Sequence, residues 1–146
     1  MSVALVDPIS LPAPRTTTAA PSTRTRRLGW ALTGLAALFL AFDAGMKLVA
    51  SPEAIAGTLA LGYGAHHLPI LAAIQLACLA LYVVPRTAPL GAVLWTGYFG
   101  GAIATHLRLD NPLLSHTLFP IYVAALVWAG LYLRDARVRA LLAARR

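Results

Sequence analysis

The chain has 146 residues, of which 59% are hydrophobic and only 12% are charged, and its mean hydropathy is +0.72. Soluble domains are usually about half apolar and about one-quarter charged. A water-soluble fold of this length would have too little interior to bury so many apolar side chains. The composition therefore favours a single-domain integral membrane protein.

The net charge of +7 would suit a nucleic-acid partner, but its distribution does not. Basic residues concentrate outside the apolar stretches and form no stripe between aromatic side chains, which is the pattern that the positive-inside rule produces. We therefore predict the lipid bilayer, and no nucleic acid, as a partner. Four arginines precede the first apolar stretch and five follow the last: Arg15, Arg24, Arg26 and Arg27, then Arg134, Arg137, Arg139, Arg145 and Arg146.

Apolar stretches of membrane-spanning length organise the rest of the chain. Residues 1–27 are rich in Pro, Ser, Thr and Ala, show no helical period and predict a disordered cytoplasmic tail. Residues 28–135 predict an all-α, four-helix transmembrane bundle, and residues 136–146 a basic cytoplasmic tail. The predicted spans are residues 28–49, 68–84, 89–107 and 117–133.

A short interfacial helix is predicted between the first two spans. Ser51, Pro52 and Glu53 supply a capping hydroxyl, a first-turn proline and a first-turn carboxylate. Gly62 follows about three turns later and is typical of a helix end. We therefore expect a helix that lies along the membrane surface rather than crossing it.

The distribution of basic residues predicts the orientation. Ten of the twelve Lys and Arg residues lie in the N-terminal tail, in the turn at residues 85–89 or after the last span, whereas only Lys47 and Arg108 lie on the other side. Basic loops remain in the cytoplasm. We therefore predict a multi-pass protein of the cell membrane with both termini in the cytoplasm.

Two charged residues lie near the far end of the first span. Asp43 and Lys47 are four residues apart, so they share a helix face, with the acid before the base as the better order. Charges inside a span are costly unless they are paired or face protein. The pair is therefore either a structural ion pair, with Lys47 reaching the headgroups, or part of a polar site near the outer leaflet.

Small residues recur every four positions in the third span, at Gly97, Gly101 and Thr105. This period allows two helix backbones to approach closely in a membrane. We predict that the face packs within the bundle, with homodimerisation as the alternative.

Polar residues gather in the outer half of the predicted bundle. A buried amide such as that of Gln75 needs hydrogen-bond partners, and histidine can hydrogen-bond a quinone carbonyl or ligate a metal. No spacing matches a metal site, and no cofactor is evident, with a quinone as the candidate ligand. The alternative is that these are ordinary interfacial residues. The candidate polar site comprises Asp43, Lys47, Gln75, His106, Arg108 and His116.

The remaining features have simpler interpretations. The single cysteine, Cys78, lies in an apolar stretch and predicts a small buried side chain rather than a disulfide. Aromatic residues near the span ends predict interfacial belts: Trp30, Tyr82, Trp95, Tyr98, Trp128 and Tyr132.

The third and fourth spans resemble the DoxX-like membrane proteins. The most telling segment is Gly-Gly-Ala-x-Ala-Thr-His at residues 100–106, supported by residues 85–92 and 118–135, Lys47 and the Leu-Gly-Tyr turn at residues 61–63. The resemblance implies a four-helix membrane bundle. Founding members are similar to subunits of a thiosulfate:quinone oxidoreductase, and others are linked with thiol-redox assemblies. No catalytic motif carries over residue by residue, so the redox reading is analogy from the family.

Three functions fit these observations. The first is an accessory subunit of a membrane complex, respiratory or redox, without catalytic activity of its own. The second is a quinone-linked oxidoreductase component with its polar site near the outer leaflet, supplied with electrons by a membrane partner. The third is a small transporter or channel, which would require a homo-oligomer because four helices leave little room for a pore.

Overall fold

The computed structural model describes residues 22–143, and all their regular structure is helical, with no strand among them. A 3-10 turn, Ala65–His67, leads into the third helix, and a π turn, Leu113–Thr117, precedes the fifth. The six helices are α1 (Thr23–Leu48), α2 (Pro52–Ala60), α3 (Leu68–Val83), α4 (Ala88–Arg108), α5 (Phe119–Arg134) and α6 (Ala136–Ala143).

The first helix is longer than the sequence predicted. Ser22 caps α1 by accepting a hydrogen bond from the backbone N–H of Thr25 at 3.2 Å, so residues 23–27, which we expected in the disordered tail, are helical. Residues 1–21 of that tail and residues 144–146 lie outside the described residues. At the other end, residues 136–143 of the predicted basic tail form a helix, whose buried Val138 packs against the bundle core.

The four long helices form an antiparallel ring in the order α1, α3, α4, α5, with each helix packed against its two neighbours in that order. The short α3–α4 connection at residues 84–87 forces these two helices to lie side by side. It lies beside the start of α1 and the end of α5, and we call this end of the bundle the turn end. The opposite end carries α2 and is called the cavity end. Ser51 caps α2 as predicted, by accepting a hydrogen bond from the N–H of Ala54 at 3.2 Å.

Close helix packing occurs at the turn end and depends on glycine. A Cβ atom at Gly29 would lie 2.7 Å from the backbone nitrogen of Arg134, and one at Gly130 would lie 2.9 Å from that of Thr33. A Cβ at Gly91 would clash with the backbone nitrogen of Tyr82. The backbones of α1 and α5, and of α3 and α4, approach this closely only because these positions have no side chain.

The prediction that Gly97, Gly101 and Thr105 form a helix-packing face is wrong for contacts within the chain. A Cβ at Gly97 or Gly101 would meet nothing within 4 Å, and both glycines are exposed. Thr105 is buried, but its hydroxyl is engaged in hydrogen bonds. The period of four correctly groups the residues on one face of α4, but that face borders empty space rather than a neighbouring backbone.

Two aromatic residues expected in the interfacial belts lie in the core instead. Tyr82 and Trp95 are fully buried. The Tyr82 hydroxyl donates to the carbonyl of Val127 at 2.9 Å, and Trp95 stacks on Phe99 with ring centroids 5.2 Å apart. Cys78 is buried in the same core, as predicted.

The outer surface of the bundle is apolar. The exposed large hydrophobic side chains among the described residues outnumber the buried hydrophobic ones, and Leu38, Leu114 and Phe42 are 71%, 70% and 65% exposed. A surface of this kind suits lipid rather than water. Three helical segments are long and apolar enough to cross a membrane, namely Thr23–Leu48, Ala65–Val83 and Leu113–Arg134. Helix α4 has 21 residues but is less apolar because of its Gly, Thr, Trp and Tyr content.

A buried arginine joins three helices at the turn end. Arg134 is only 9% exposed and donates through Nη2 to the carbonyl of Tyr82 at 3.0 Å. Its guanidinium lies 4.4 Å from the centre of the Trp30 ring and 5.4 Å from that of Tyr82. These contacts offset the cost of placing a cation among apolar groups.

Candidate functional site

The charged pair of α1 forms a three-residue cluster with α3. The Asp43 Oδ2 atom accepts hydrogen bonds from Lys47 Nζ at 2.5 Å and from Gln75 Nε2 at 2.6 Å. The i,i+4 spacing places Lys47 one turn after Asp43, while α3 brings Gln75 across from the neighbouring helix. A carboxylate in an apolar bundle is stabilised by opposite charge and by donated hydrogen bonds.

The amide of Gln75 is only half satisfied. Its side chain is 2% exposed, its NH₂ group donates to Asp43, and its Oε1 atom is buried with no hydrogen-bond partner among the described residues. The opposite amide orientation would set two acceptors against each other, because an ionised carboxylate accepts only. An unpartnered buried acceptor costs about 1–3 kcal/mol.

A chain of hydroxyl groups connects the α2–α3 loop to α4. The Thr105 hydroxyl donates to the carbonyl of Gly101 at 2.9 Å and lies 3.1 Å from the hydroxyl oxygen of Tyr63. Since a threonine has only one hydroxyl hydrogen, the Tyr63 hydroxyl must be the donor in the second bond. The Tyr63 oxygen therefore keeps only lone pairs for any other group.

These polar groups surround a cavity of about 390 Å³ between the four long helices at the cavity end. Its size suits a small-molecule site. Most of the wall is apolar, and it includes Phe39 of α1 and Phe119 of α5, which contact each other edge to face with ring centroids 5.9 Å apart. The polar residues on the wall are Asp43, Lys47, Thr58, Tyr63, Gln75, Tyr98, Thr105 and His106.

Gly97 and Gly101 also line this cavity. Because neither residue has a side chain, α4 leaves open the volume that larger residues would fill. The small-residue face that the sequence assigned to helix packing therefore shapes the cavity.

A second cavity of about 560 Å³ lies beside α2 and shares Asp43, Lys47 and His106 with the first. His116 lines this second cavity, and its ring centroid lies 5.9 Å from that of His106. The His106 Nδ1 atom is 3.0 Å from the Nδ2 atom of Asn111. Since an amide NH₂ group only donates, a neutral His106 ring carries its hydrogen on Nε2, where it can act as a donor.

The structure divides the predicted polar site. It brings Asp43, Lys47, Gln75 and His106 to one cavity and places His116 in the adjoining one. Arg108 lies apart, on the surface, where its Nη2 atom is 3.4 Å from the carbonyl of Leu61. Its exposed position at the end of α4 directs it to the α2–α3 loop instead of the cavity.

Sequence reasoning did not identify the hydrogen bond between the hydroxyl groups of Tyr63 and Thr105. The sequence assigned Thr105 to helix packing and indicated only a turn at residues 61–63, which contain Tyr63. The contact joins residues 42 positions apart in the chain, and no local pattern indicates such a pairing. Among residues 22–143, no group of three or more His, Cys, Asp and Glu side chains could hold a metal ion.

An all-helical bundle with a lipid-facing apolar surface, three helices of spanning length and a cavity between its helices defines a multi-pass membrane protein. Residues 31–130 match the DoxX-like family, and the chain belongs to that family. This match runs from α1 to α5 and includes every residue of the Asp43–Lys47–Gln75 cluster. No curated protein and no solved structure matches the chain.

Proposed function

We propose that all four long helices cross the cell membrane with both termini in the cytoplasm. Helix α4 supports this arrangement because it has 21 residues and lies between α3 and α5 in the ring. The turn end carries most of the basic residues described, which suits the cytoplasmic side. Fusions of a reporter that works in only one compartment, made to each terminus, test the orientation. Opposite compartments for the two termini would refute it.

We propose further that the cavity binds the head group of a small, uncharged, largely apolar ligand, and that a quinone is the candidate. The observation that supports this function best is the combination of an apolar cavity of about 390 Å³ with polar groups on its wall. Lys47 Nζ and the Nε2–H of a neutral His106 are donors suited to a quinone carbonyl. The aromatic walls suit a planar ring.

Electrons for such a quinone would come from a membrane partner, and the chain itself would act as a binding or accessory subunit. The described residues of the cavity supply hydrogen bonds and apolar walls, which are the elements of binding and orientation. This role combines two alternatives from the sequence, the accessory subunit and the quinone-linked component.

The test is to purify the full chain from membranes in mild detergent, extract the bound lipids and measure the quinone retained per protein. We expect wild type to retain quinone and His106→Ala to lose most of it. Arg108→Ala is the matched control, because Arg108 is a basic residue in the same helix turn that does not line the cavity. Equal retention by wild type, His106→Ala and a mock preparation would refute the proposal.

A cavity-filling variant separates ligand binding from stability. We expect Gly101→Leu to fill part of the cavity without a backbone clash, since a Cβ at this position meets nothing within 4 Å. The variant should therefore retain the thermal stability of the ligand-free protein but lose bound quinone. Unchanged quinone retention would place the ligand elsewhere.

A further inference from the structure

We infer that the cavity opens sideways into the lipid between α3 and α4, and that its ligand carries a hydrocarbon chain that lies in this lateral opening. The inference rests on the proposed membrane crossing of α4 and the proposed ligand, and it adds the route of entry and a chain-bearing ligand class. It follows from three residues that line the cavity and are also exposed, namely Ile74 of α3 and Gly97 and Gly101 of α4.

Helix α4 turns both glycines towards the outer surface. Leu90 and Leu94 precede them at the i+3 and i+4 spacing that places residues on one helix face, and these leucines are 53% and 42% exposed. A Cβ at Gly97 or Gly101 would meet nothing within 4 Å. The row of exposed side chains along α4 therefore stops at the glycines, and the cavity lies behind them.

The lateral opening lies at the depth of the lipid tails. With a rise of about 1.5 Å per residue, Gly101 and Gly97 lie about 10 Å and 16 Å along α4 from Arg108, its last residue. The hydrocarbon core of a bilayer is about 30 Å thick, so an α4 that crosses it places both glycines among the acyl chains. Leu71 and Ile74 line the cavity from α3, so this rim offers hydrocarbon contacts.

Other sides of the cavity are covered by side chains. Between α1 and α5, the Phe39 and Phe119 rings contact each other edge to face. At the cavity end, Leu61 and Tyr63 of the α2–α3 loop line the cavity, and the hydrogen bond between Tyr63 and Thr105 holds this loop to α4. Only the α3–α4 side combines exposure with missing side chains.

The second cavity offers a polar route to the same site. It shares Asp43, Lys47 and His106 with the first cavity, and Glu53 and His116 also line it. Charged and polar groups lose hydration when a hydrocarbon chain covers them, so this route suits water. A chain-bearing ligand would therefore enter from the lipid, place its head group near Lys47 and His106, and leave its chain between α3 and α4.

The first test locates the chain of a bound ligand. The probe is a decyl benzoquinone with a diazirine near the middle of its chain, photolysed with the full-length protein in phosphatidylcholine nanodiscs. Only labels that an excess of plain decyl benzoquinone removes are counted. We expect them on α3 and α4, around Ile74 and Gly97. Competed labels around Phe39 and Phe119, or on α2, would overturn the inference.

The second test blocks the lateral opening. Decyl benzoquinone and a chain-free methyl benzoquinone are titrated against wild type, Gly97→Leu and Gly100→Leu. We expect Gly97→Leu to bind the decyl form about tenfold more weakly and the chain-free form almost as wild type does, because the leucine side chain stands where the chain passes. Gly100→Leu is the matched control and should change neither affinity, since Gly100 is also exposed with open space at its Cβ but does not line the cavity.

Two results of the titration would overturn the inference. One is an equal loss of affinity for both ligands in Gly97→Leu, and the other is no loss for either. The labelling of wild type decides the matter if this variant fails to fold. Binding of neither ligand to wild type would instead refute the ligand class given under Proposed function, and the inference with it.

Discussion

The two ends of the bundle use the same four helices in opposite ways. At the turn end, Gly29, Gly91 and Gly130 allow neighbouring backbones to touch, and Arg134 donates to the Tyr82 carbonyl and lies over the Trp30 ring. At the cavity end, Gly97 and Gly101 face empty space. A glycine in an apolar helix can therefore either permit contact or preserve a void, and the neighbouring helix determines which.

This comparison predicts that stability resides at the turn end and ligand binding at the cavity end. Substitutions that add volume should be costly at the first and tolerated at the second. Four measurements test the difference between the two ends, beginning with the largest expected effect.

The first compares Gly29→Ala with Gly101→Ala. The methyl group at position 29 would lie 2.7 Å from backbone of α5, which cannot move without separating the helices. We expect a loss of about 1–3 kcal/mol from overpacking, seen as a lower melting temperature in detergent. Gly101→Ala should leave the melting temperature unchanged or raise it slightly. Equal effects of the two variants on the melting temperature would show that the turn-end and cavity-end glycines do not differ in their role in packing.

The second tests the buried cation at the turn end. Arg134→Met keeps an unbranched apolar side chain but removes the hydrogen bond to the Tyr82 carbonyl and the contact with the Trp30 ring. We expect a destabilisation of about 1–3 kcal/mol, because a buried carbonyl loses a charged donor. Arg108→Met, at an exposed arginine of the cavity end, is the control and should change stability little. A stable Arg134→Met would show that the cation is dispensable for packing.

The third measures the coupling between Tyr63 and Thr105 at the cavity end. A double-mutant cycle of Tyr63→Phe and Thr105→Val isolates the 3.1 Å contact between their hydroxyl groups. We expect each single variant to lose about 0.5–1.5 kcal/mol, with the double variant losing less than the sum. Strict additivity would mean that the α2–α3 loop is not held to α4 by this bond.

The fourth concerns the ion pair beside the turn end between Asp135, which is largely buried, and the exposed Arg137. Hydrogen bonds from Arg137 lower the pKa of Asp135 below its ordinary value, with contacts of 2.7 Å and 2.9 Å. Because the folded-state pKa is the lower one, the stabilisation is complete above the unfolded-state pKa of about 3.9 and is lost as the pH falls through the folded-state value. The difference in melting temperature between wild type and Asp135→Asn should therefore disappear in acid. A constant difference down to the lowest pH would show that the carboxylate charge is not responsible.

The sequence predicted the helical elements well and the spatial grouping of the polar residues in part. Within a helix the period of the backbone fixes which residues share a face, so Asp43 was correctly grouped with Lys47. Gln75 and His106 lie in spans whose apolar character already required their polar groups to face protein. Arg108 and His116 lie at a helix end and in a loop, where no period fixes the direction of the side chain.

Composition and hydrophobic length by themselves determined that this chain is helical and lies in a membrane, since a long apolar stretch must satisfy its own backbone hydrogen bonds in lipid. Only the tertiary structure decided what the small and polar residues do. Whether Gly101 touches a helix or borders a cavity, and whether the Gln75 oxygen finds a donor, depends on the separation of helices that are distant in the chain. That separation results from the packing of all four long helices together.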